Sequence, residues 1–114
     1  MTDAVRTSSV DFSHLESYVA GDRAVVREVL GLFSDQARTV LPQLDPTAPG
    51  DSWRNAAHSL KGSALGIGAF KLAEACGAAE VARDEPVEVK RAALTQVAEA
   101  LAEALTDIAL YTRG

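Results

Sequence analysis

At 114 residues the chain can form one compact domain with a modest core and is too short for two. Its composition is 47% hydrophobic but only 5% aromatic, which favours closely packed helices over a β-sandwich. The formal net charge of -5 argues against a nucleic-acid binder, although Arg54, Lys61 and Lys71 can form a local basic patch. In chain order, residues 1–10 are polar and without clear period, and read as a flexible lead-in to a domain over 11–114. Asp11 or Ser13 can cap a short first helix carrying Phe12, Leu15, Tyr18 and Val19. Gly21-Asp22 reads as a stop followed by a new N-cap. A long second helix follows, with apolar residues at Val26, Leu30, Phe33, Ala37, Val40 and Leu44. The alternating spacings of four and three suit a bundle seam, and Pro42 should bend or shorten the helix near its end.

Asp45-Pro46-Thr47-Ala48-Pro49-Gly50 is the clearest loop. Asp51 or Ser52 can cap a third helix whose apolar stripe is Trp53, Ala57, Leu60, Ala64 and Ile67. Gly66 and Gly68 should end it. A fourth helix begins at Ala69 and carries Leu72, Ala73, Cys76 and Ala79, small residues that permit close approach. Asp84-Glu85-Pro86 offers an N-cap and an early proline to a last helix through Leu94, Val97, Leu101, Ala104, Leu105, Ile108 and Tyr111. The expected fold is therefore all-α: an antiparallel up-down four-helix bundle with a short additional N-terminal helix. The strand and helix alternation of a Rossmann or P-loop fold is missing.

The third helix holds the chemistry. On a wheel at ~100° per residue, His58 lies well over a quarter-turn from the centre of the apolar stripe and should face solvent. Asp51, Arg54, Asn55, Lys61, Gly62 and Leu65 surround it. Lys61 and Gly62 sit three and four residues on, where side chains neighbour His58 on a helix surface. A mid-helix glycine costs ~1 kcal/mol relative to alanine, and open space beside His58 would compensate for it. Leu65 lies two turns along, almost in line with His58 and off the core stripe. With Asp51, Arg54 and Asn55 it forms the candidate partner-binding surface.

Ala57-His58-Ser59-Leu60-Lys61-Gly62-Ser63-Ala64, followed by Gly68-Ala69, Leu72, Cys76 and Glu80, resembles the core motif of histidine-containing phosphotransfer (HPt) domains. Phe33-Ser34-Asp35-Gln36-Ala37, Leu41 and Leu44 are similar to the family's preceding helix. The resemblance spans roughly residues 11 to 111. It implies that His58 receives a phosphoryl group from a receiver-domain aspartate and passes it to another. It implies that Lys61 pairs with the phosphoryl oxygens, that Gly62 leaves room for the partner, and that Gln36 orients the imidazole. Read from the residues alone, Lys61 and Gln36 are equally at home as solvated side chains, and Gly62 as a tolerated glycine.

The chemistry suits the residue. An ordinary histidine titrates near ~6.5, so much of it is neutral and nucleophilic at neutral pH. Phosphoryl transfer then rests on in-line positioning and charge neutralisation. The wheel turns Ser63 away from His58, so packing or local capping suits it better than a role as second nucleophile. His14, without comparable company, reads as an ordinary surface histidine. Cys76 falls on an apolar stripe and reads as packing; as the single cysteine it excludes an internal disulfide and a zinc site built mainly from cysteines.

No nucleotide motif, evident metal site, signal peptide or membrane span is seen. The expectation is thus a stand-alone cytoplasmic phosphoryl carrier, not an ATP-using enzyme, and monomeric by default. It would bind no cofactor, with Mg2+ supplied by the receiver. Its partners would be receiver domains of response regulators or hybrid histidine kinases, with no nucleic acid and no membrane. The rival readings are a helical adaptor that binds a receiver without being phosphorylated, and a dimeric histidine kinase core. The latter lacks its usual His-Glu pair, because Ser59 follows His58.

Overall fold

The computed structural model describes residues 9–113. Five α-helices follow one another: α1 (Phe12–Tyr18), α2 (Arg23–Val40), α3 (Gly50–Ile67), α4 (Phe70–Val81) and α5 (Val87–Arg113). Two 3-10 turns, Leu41–Gln43 and Ala82–Asp84, extend α2 and α4. Among the described residues there is no strand, and no helix is long and apolar enough to cross a membrane.

The helix boundaries follow local chemistry. The Asp11 carboxylate accepts from the His14 N–H at 3.2 Å and caps α1. Asp22 does the same for α2, accepting from the N–H groups of Ala24 and Val25 at 3.0 and 3.3 Å. Pro42 shortens α2 as its missing N–H requires: the helix ends at Val40 and the chain tightens into the 3-10 turn. The cap expected at Asp51 or Ser52 lies elsewhere. Pro49 is the N-cap of α3, its carbonyl accepts from Trp53 N–H at 3.1 Å, and no side chain caps the helix. Gly66 is helical, and Gly68 alone closes α3, at φ +84. A Cβ at Gly68 would stand 2.6 Å from the Asp11 carbonyl, so only glycine fits there. Asp84 belongs to the second 3-10 turn, and α5 starts after Pro86, whose carbonyl takes the N–H groups of Val89 and Lys90.

The buried stripes meet in one core. Val26, Leu30, Phe33, Ala37 and Leu44 pack with Trp53, Ala57, Leu60, Ala64 and Ile67, with Leu72, Cys76 and Ala79, and with Val97, Leu101, Ala104 and Ile108. Tyr18, expected on the apolar face of the first helix, is exposed. Most of the lead-in assigned to residues 1–10 lies outside the described residues, but its last two belong to the fold. Val10 is a core residue, and Ser9 donates its N–H and hydroxyl to the Asp107 carboxylate on α5 at 2.8 and 2.7 Å. His14 is likewise no ordinary surface residue: it is half-buried, edge-on to Tyr18 and Phe70 at 5.0 and 5.3 Å.

Candidate functional site

His58 emerges from the middle of α3 with its side chain 64% exposed, as the wheel predicts. The site around it is built by the approach of α4. Ala73, Cys76 and Ala79 are small and buried, so the two helices pack closely. Gly77 extends this: a Cβ there would lie 3.8 Å from Lys61 Cδ, so the lysine stem runs alongside α4. The ammonium group is thereby delivered to Glu80, at 3.1 Å from Oε1. The other carboxylate oxygen, Oε2, lies 2.9 Å from His58 Nδ1.

One carboxylate therefore holds both the imidazole and the lysine. Glu80 is only 17% exposed, and burial by itself would push its carboxyl up. Hydrogen bonds from Lys61 and His58, and their charges, outweigh burial and hold it below the usual carboxylate range. An ionised carboxylate only accepts, so His58 Nδ1 carries the proton in this contact. In the neutral ring, Nε2 then has the lone pair, on the solvent side of an exposed side chain.

Gln36, expected to orient the imidazole, has its hydrogen bond with Ser63 instead. Its side-chain carbonyl accepts from the Ser63 hydroxyl, which joins α2 to α3. Ser63 is thus a bridge, in line with its direction on the wheel. The orienting contact belongs to Glu80, whose role the spacing within α3 gives no sign of. Gly62 faces open space, with nothing within 4 Å of a Cβ built there. Leu65 is 45% exposed. Arg54 donates to Asn55 at 2.9 Å, and Asp51 pairs with Arg83 from the 3-10 turn after α4. Cys76 is buried beneath this site; burial and the Glu80 charge push its thiol up to about 12, so it is inert packing.

A family model described as the Hpt domain matches residues 28–108, a span that contains α3, α4 and the His58, Lys61 and Glu80 cluster. The chain belongs to the Hpt domain family. Among solved structures this Hpt chain is similar to the crystal structure of histidine phosphotransferase ShpA from Caulobacter crescentus. The two are 44% identical, with a TM-score of 0.62 over 94% of this chain and 100% of that one. The comparison with curated proteins gives no match. Membership puts the Hpt chain among the phosphotransfer proteins of two-component signalling.

Proposed function

We propose that this chain relays a phosphoryl group between receiver-domain aspartates, carrying it on His58 Nε2. The observation that carries the reading is the 2.9 Å contact of Nδ1 with Glu80, which leaves Nε2 as the nucleophile on an exposed helix face. The Nε2 lone pair attacks phosphorus in line. The P–N bond forms as the P–O bond to the aspartate breaks, and the carboxylate leaves. The ring retains its Nδ1 proton and becomes cationic, a charge that Glu80 stabilises. The step needs no proton transfer, so it runs readily in either direction.

Lys61 pairs with the phosphoryl oxygens as a point charge, and Gly62 leaves room for the receiver to close over His58. The divalent cation belongs to the receiver's acidic pocket, and the chain carries the group without using ATP. Leu65 is the apolar anchor of the docking surface, with Asp51, Arg54 and Asn55 at its rim. The scaffold is read as an antiparallel up-down four-helix bundle of α2 to α5 with α1 added, working in the cytoplasm as a monomer.

The test is incubation with phosphorylated receivers and mapping of the modified residue. The label is expected on His58 alone, acid-labile and base-stable as a phosphoramidate is. Label persisting in His58→Gln overturns the assignment. The adaptor reading predicts that His58→Gln behaves as wild type; the relay reading predicts a variant that still binds but does not transfer.

A further inference from the structure

Glu80 sits one residue before the end of α4, where a helix has carbonyls without intrahelical partners and is prone to fray. Its two oxygens are nevertheless aligned on His58 and Lys61. The Ala82 N–H bonds back to the Ala78 and Ala79 carbonyls, and two further contacts, both from α3, hold this helix end on either side of Glu80.

Before it, the Ala79 carbonyl accepts from the indole N–H of Trp53 at 2.6 Å. Trp53 is the single tryptophan of the chain and is wholly buried. Its ring is covered by Lys90 of α5, with Nζ 5.8 Å from the ring centroid. A buried indole N–H needs an acceptor, and this one finds it on the neighbouring helix, where it sets the position of α4 along α3. After Glu80, the chain tightens into the Ala82–Asp84 turn. There the Arg83 guanidinium pairs with Asp51, in the first turn of α3. The turn lies close to the start of α3, since a Cβ at Gly50 would stand 3.1 Å from the Arg83 carbonyl.

We propose that Trp53 and Arg83 are positioning residues for His58: by tying the end of α4 to α3 on both sides of Glu80, they hold its carboxylate against the imidazole. Neither touches the reacting atoms. They act on the nucleophile through Glu80, by keeping the proton on Nδ1 and the lone pair on Nε2. The kinetic consequence rests on His58 being the phosphoryl acceptor; the structural consequence does not.

The experiment uses Trp53→Phe, which keeps a ring under Lys90 and removes the N–H donor. Circular dichroism and a thermal melt check the fold. Imidazole 15N resonances of the unphosphorylated protein then report the His58 tautomer. Wild type is expected in the Nδ1–H form and Trp53→Phe as a mixture of the two forms. Phosphotransfer should slow about three- to tenfold, the scale of one hydrogen bond removed from the network. In a Glu80→Ala background, Trp53→Phe should change neither readout further, because its effect passes through Glu80. An unchanged tautomer in folded Trp53→Phe overturns the proposal, as does an equal slowing with and without Glu80. If Trp53→Phe does not fold, Arg83→Gln takes its place, with the same tautomer shift expected and an unchanged tautomer again overturning it. A tautomer shift alongside undiminished labelling of His58→Gln would retain the positioning role and remove the relay reading instead.

Discussion

Lys61 Nζ lies 3.1 Å from Glu80 Oε1, so the lysine offered to the phosphoryl group already has an anionic partner. Phosphorylation at Nε2 would add a second anion within reach of the same ammonium group. On the proposed function Lys61 would then be shared between Glu80 and the phosphoryl oxygens, and its loss should be felt in kinetics more than in folding. Its side chain is one-third exposed, and Glu80 keeps His58 as a second partner when the lysine is removed. Lys61→Ala is expected to slow transfer or shorten phosphohistidine lifetime while leaving the melting temperature within a few degrees of wild type. A large stability loss with unaltered kinetics would make Lys61 a structural residue.

Glu80 gives the pH prediction. Its folded carboxyl lies below the ordinary value of 4.5 because hydrogen bonds and charges from Lys61 and His58 outweigh burial. The unfolded chain therefore takes up the proton first. The stabilisation is complete above the unfolded pKa and is lost as pH falls through the lower folded value. Denaturant melts at a series of pH values should show wild type losing stability below about pH 4.5 more steeply than Glu80→Gln. Parallel curves would mean that the carboxylate contributes nothing to acid sensitivity.

Gly62 separates clearance from helix propensity. Nothing lies within 4 Å of a Cβ built there, so Gly62→Ala meets no clash. It should stabilise the helix by up to ~1 kcal/mol. Gly62→Gln should also fold, yet slow phosphotransfer by intruding on the space beside His58. Wild-type transfer by Gly62→Gln would end the clearance argument.

The sequence makes the helices and the exposure of His58 legible because both are local. A stripe such as Trp53, Ala57, Leu60, Ala64 and Ile67 states which face is buried, and what remains states which face is not. The partners of His58 are less visible. Glu80 meets the imidazole only because α3 and α4 cross at small residues, and no periodicity within α3 encodes that crossing. Gln36 shows the converse: it stands where the resemblance puts an orienting side chain, but Ser63 takes its carbonyl. Helix starts mislead where a proline intervenes. Pro49 caps α3 through its backbone, so the carboxylate of Asp51 remains for Arg83.

Leu65 is the test of where a receiver binds. It is 45% exposed on α3, and Leu32 on α2 is 64% exposed. An apolar groove between these helices is lined by Val29, Leu32, Phe33 and Ile67. Singly exposed leucines are common and need no explanation, but an exposed leucine in line with His58 on the same helix is a fit anchor for a partner. Apolar anchors near an interface centre typically cost ~1–3 kcal/mol when lost, roughly 5- to 150-fold in Kd. Leu65→Glu should therefore weaken receiver binding strongly without unfolding the chain. Arg54→Ala and Asn55→Ala should act more mildly, the former with salt dependence, because rim charges act mainly on encounter. Asp51→Ala is less clean as a probe, since it also releases Arg83. Calorimetric titration of a receiver against folded Leu65→Glu decides the matter. Undiminished affinity would remove Leu65 from the interface and shift the search to the groove lined by Leu32.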